Sequence, residues 1–91
     1  MAEFNAQELI AMGNLLASRL ERLSADSRWA HKASGLRGSL LREIEAVEAA
    51  TRQGYIPEPE LLERLARTIE AGYVILIKAG REISVPDLRR G

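Results

Sequence analysis

Apolar side chains recur at spacings of three and four along nearly the whole chain, and this period restricts the fold more than any other feature. Residues so spaced share one face of an α-helix, because a turn takes about 3.6 residues. The first stripe is Leu9, Met12, Leu16, Leu20 and Leu23, widened by Ile10 and Leu15. Asn5 stands before it as a cap, with Glu8 three residues on as in a capping box. Phe4 and Leu9 bracket the cap as a hydrophobic staple. The polar run 24–27 then closes a helix over about 5–23.

A second stripe runs Trp29, Ala33, Leu36, Leu40, Ile44 and Val47, with Leu41 beside it and Asp26 or Ser27 as cap. It keeps phase across Gly35 and Gly38, each of which costs about 1 kcal/mol in a helix interior relative to Ala. One long helix over about 27–53 is therefore expected, ended by Gly54 in the left-handed cap position and Pro57. The third helix opens with Pro59 at its first position and carries Leu62, Leu65, Ile69 and Leu76, flanked by Leu61 and Ala66. It is expected over about 59–79. After Gly72 a β-hairpin, 73–77 with 81–85 turning at Gly80, competes with the last helical turns because the segment is rich in β-branched residues. A lone hairpin is marginal in water, so the helix is preferred. Pro86 is expected to end regular structure and leave 86–91 as a loose tail.

These stripes predict an all-α, three-helix antiparallel bundle forming one domain over 1–91, crossing at about 20° or 50°. With 91 residues the chain buries only about 60–65% of its unfolded surface. Disulfides are excluded because there is no Cys, and a lone His rules out zinc sites with two or more Cys or His ligands. Oligomerisation is the remaining way to add stability. Thirteen basic and thirteen acidic residues cancel, so no net field steers the chain to nucleic acid or anionic lipid. The longest apolar run, 73–77, is far too short to span a bilayer, and no signal-peptide pattern opens the chain. A cytoplasmic protein that does not enter membranes is expected.

The second helix carries its charges in an unusual order. Arg28, His31, Lys32, Arg37 and Arg42 come first, and Glu43, Glu45 and Glu48 follow. This opposes the helix macrodipole, which favours acids early and bases late. Antiparallel self-pairing would account for it: two copies crossing near Leu40 would set Arg37 opposite Glu43 and Lys32 opposite Glu48. Ala30, Ser34 and Gly38 add a stripe of small residues. The run 73–77 is apolar on all sides if helical, and no helix of a three-helix monomer is covered all round. The expected interface is thus Trp29, Lys32, Gly38, Leu40, Ile44, Glu48, Tyr73, Ile75 and Ile77. The competing reading makes Arg28, Lys32, Arg37 and Arg42 an anion site, for nucleic acid phosphates or for the substrate of a small all-helical enzyme. Scarce aromatics and dense acids on the third helix weigh against nucleic acid.

No catalytic constellation accompanies these charges. His31 has no Asp, Cys or second His near it in sequence, and no Ser sits in a nucleophile-elbow motif. Phosphate-binding and calcium-binding loop motifs are absent, so no cofactor or metal is expected. The expected function is that of a non-catalytic protein–protein interaction module or small subunit, acting as a homodimer or within a complex.

Overall fold

The computed structural model describes the backbone at 5–23 and 28–90 and side chains at 5–23 and 28–81. Among the described residues three helices follow one another: α1 (Ala6–Glu21), α2 (Ala30–Arg52) and α3 (Pro59–Arg90). No strand occurs among the described residues, and 73–81 is helical, not half of a hairpin. Ile75 and Ala79, four residues apart, are buried on the core side of α3. Burial at helical spacing outweighs the β-branched bias of the local sequence. The path of α3 also passes Pro86, where regular structure was expected to stop. Proline removes one amide donor and crowds the carbonyl four residues back, which costs about 3 kcal/mol in a helix interior without forbidding continuation.

The helix ends follow from side chains the sequence supplies. Asn5 is extended (φ −85°, ψ 118°), and its Oδ1 accepts from the amides of Gln7 at 2.9 Å and Glu8 at 3.2 Å. Two otherwise orphaned donors are satisfied in this way. Phe4, Asp26 and Ser27, the expected staple and caps, lie outside the described residues. α2 ends in a Schellman arrangement: the Tyr55 amide donates to the Ala50 carbonyl at 2.9 Å and the Gly54 amide to that of Thr51 at 3.0 Å. Gly54 has φ +83°, the left-handed geometry this cap requires.

Contacts between helices fix their directions. Arg37 meets Glu21, while Ile44 packs at Gly13, so α2 runs antiparallel to α1. Lys78 lies against Trp29 and Leu61 faces Ser39 and Ala46, so α3 is antiparallel to α2. α1 and α3 are therefore parallel, with Leu16 level with Gly72. The core between them is aliphatic: Leu16, Leu40, Leu65 and Val47 are fully enclosed.

Two glycines set the spacing. A Cβ at Gly13 would stand 2.8 Å from Ile44 Cδ1, and one at Gly72 would stand 2.5 Å from Leu16 Cδ2 and 3.0 Å from Leu36 Cδ2. Both are buried, so the helices touch where these residues lack side chains. As a result the core face of α1 is Leu9, Gly13, Leu16, Ala17 and Leu20, rotated away from Met12 and Leu15. α2 is continuous across Gly35 and Gly38 as expected, and nothing lies within 4 Å of a Cβ at Gly35.

The glycines should therefore respond in opposite directions. Gly35→Ala should raise unfolding free energy by about 0.5–1 kcal/mol, since it adds helix propensity in open space. Gly72→Val should lower it by about 2–3 kcal/mol through overpacking against enclosed Leu16. Urea denaturation followed by circular dichroism measures both, and equal responses would contradict the close approach at Gly72.

Candidate functional site

The structure scatters the residues expected to form an α2-centred interface. Leu40 and Ile44 lie wholly inside the chain's own core, and Ile75 is buried with them. Trp29 is half-buried, with the Lys32 and Lys78 ammonium groups 5.2 and 5.3 Å from its ring centroid. Lys32 thus shares the α3 side of α2. Glu48 is on the other side, lining a shallow cleft with Ile10 and Asn14 of α1. Arg37 reaches Glu21 of α1 at 3.5 Å, whereas Glu43 faces Leu61 and Arg64 of α3. The members of each expected charge pair therefore occupy opposite flanks of one helix. Two α2 helices meeting on their outer faces do not bring Lys32 to Glu48 or Arg37 to Glu43.

The same dispersal applies to the anion reading. Arg42 bonds Ser39 at 3.2 Å and lines the α2–α3 cleft, Arg37 is held toward α1, and Lys32 lies on Trp29. The Nε of Arg37 is sheltered and lacks a hydrogen-bond partner, as does Glu43 Oε1, but the two are on different sides of α2. Among the described residues no group of His, Asp or Glu is arranged to hold a metal ion. No helix there is long and apolar enough to cross a membrane.

A further surface feature lies between the parallel helices α1 and α3. A groove of about 680 Å³ opens there, floored by Leu9 and Ile69 and walled by Met12, Ala66 and Tyr73. Glu8, Glu63 and Glu70 stand on its rim with Arg67, which meets Glu63 at 3.6 Å. The apolar character continues on the two bordering helices. Met12 is 44% exposed, Leu15 50%, Val74 44% and Ile77 55%. Of the expected interface residues, Tyr73 lines this groove, and Ile77 is exposed one turn further along α3.

Sequence reasoning missed Met12 and Leu15 because it placed both on the core stripe of the first helix. The signal that separates them is small-residue burial. Gly13 and Ala17 turn α1 so that its core face lies beside them, and spacing weighted by hydrophobicity alone gives those two positions no credit.

Dispersed cations should not act together. Melting in about 10 mM inorganic phosphate should match melting in chloride of equal ionic strength, because an anion held by Arg28, Lys32, Arg37 and Arg42 would stabilise the folded state by mass action. A phosphate-specific rise in melting temperature would restore the anion reading. No protein family matches this chain, and comparison with curated proteins and solved structures finds none similar to it.

Proposed function

We propose that the chain is a non-catalytic protein-interaction module that works by helix-mediated assembly, first of all as a homodimer, in the cytoplasm. The observation that carries this reading is the set of uncovered aliphatic side chains beside the α1–α3 groove: Met12, Leu15, Val74 and Ile77. Isolated exposed aliphatic residues are ordinary, but four on two adjoining helices, with Met12 lining the groove between them, favour covering by another surface. Zero net charge removes the repulsion that would oppose association. A 91-residue chain also gains more from added burial than a larger domain does.

Sedimentation equilibrium across micromolar concentrations tests the reading. The expected outcome is an apparent mass that rises from 10.1 kDa toward twice that value with concentration. A constant 10.1 kDa at every concentration would overturn self-association.

A further inference from the structure

The face beside the groove has a regular construction. On α1 and its C-cap the residues Glu8, Met12, Leu15, Arg19 and Arg22 follow at spacings of four and three, and every one is exposed. On α3 the residues Glu63, Arg67, Glu70, Val74, Ile77 and Arg81 follow in the same way, again all exposed. Alternating spacings of four and three form the seam by which one helix packs along another. Glu8 and Met12 from the first seam and Glu63, Arg67 and Glu70 from the second line the one groove, so the seams border a common face.

Both seams change character in the same order. Acids predominate at the N-terminal end, with Arg67 among those of α3, and aliphatic residues in the middle give way to arginines at the C-terminal end. Glu8, Glu63 and Glu70 with Arg67 carry a net −2 at one end, and Arg19, Arg22 and Arg81 carry +3 at the other. Because α1 and α3 are parallel, the two gradients add instead of cancelling. No ion pair joins Glu8, Glu70, Arg19, Arg22 or Arg81 to another described residue.

We infer that this α1–α3 face binds a second copy of the chain, packed antiparallel about a two-fold axis that passes near Leu15. The inference rests on the self-association reading above and assigns its surface. An axis perpendicular to the helices lays the acidic end of each copy on the basic end of the other, with aliphatic middles in contact. Glu8 lies seven residues before Leu15 and Arg22 seven after, so the axis brings Glu8 to Arg22 of the second copy, twice. Leu16 is level with Gly72, which places Leu15 level with residue 71 of α3. Glu63 and Arg81 then stand eight residues before and ten after that level, an offset of about 3 Å that an arginine side chain spans.

A parallel dimer would stack acid on acid and base on base, so charge selects the antiparallel arrangement. The face is about 27 Å long and about 20 Å wide, on the order of 1,000 Å² buried over both copies, at the lower bound for a specific interface. A dimer that dissociates in the micromolar range suits that size.

Charge exchange across the axis tests this arrangement. Glu8→Arg and Arg22→Glu should each weaken self-association about tenfold at low salt, since each creates two like-charge contacts. An equimolar mixture of the two variants should form a heterodimer with affinity near the wild type, because both contacts become opposite in sign. Leu15→Glu should abolish association while leaving the thermal melt cooperative, as the side chain is exposed. If the wild type dimerises but Leu15→Glu also dimerises and mixing gives no gain, this face is wrong and self-association stands. If the wild type is monomeric at every concentration, both fail.

Discussion

Gly72 is the point at which all three helices meet. Its missing side chain lets Leu16 of α1 and Leu36 of α2 close over α3, while Gly13 does the same for Ile44 between α1 and α2. Leu16, Leu40 and Leu65 are enclosed because the helix axes come near enough for aliphatic side chains alone to fill the space. The chain does this with few aromatic residues, none of them fully buried among the described residues. A bulky residue at 72 would push apart three helices and not two.

The close approach also decides what is left outside. With Gly13 and Gly72 facing inward, α1 and α3 are rotated so that Met12, Leu15, Val74 and Ile77 border solvent. Core packing and the exposed aliphatic face are two results of one rotation. The parallel course of α1 and α3 then gives the face a charge direction, which an antiparallel pair with the same sequences would cancel. Two cations of the basic half of α2 are engaged within the chain: Arg37 is drawn to Glu21, and Lys32 shares the Trp29 ring with Lys78. Part of the inverted charge order on α2 is therefore used inside the chain.

The number of helices, the Asn5 cap, the Gly54 stop and the Pro59 start were all legible in the sequence, because each depends on neighbours within a few residues. The buried stripe of α2 was legible too, since its phase survives two glycines. The face of α1 was read one step off: Met12 and Leu15 are hydrophobic, Gly13 is not, and only the position of Ile44 shows why Gly13 faces inward. The path after Gly72 lay between helix and hairpin because β-branched residues bias the local backbone one way and burial against other helices biases it the other. The candidate interface moved from α2 to the α1–α3 groove for a related reason. Leu40 and Ile44 look equally suited to a core and to an interface until the partner helices are in place.

Parallel neighbours carry a consequence for assembly. α1 and α2 form one helical hairpin and α2 and α3 another, each closing a short connection, whereas Leu16 and Gly72 are 56 residues apart in the chain. Contacts of such separation cost more loop entropy to close directly than those between sequential helices, so this one depends on α2 holding α1 and α3 together. The α1–α3 groove is built from that long-range contact, so a chain with α3 undocked has no groove to offer. Assembly through it would accept only finished molecules, and local opening of α3 would release a partner before the rest of the bundle unfolds.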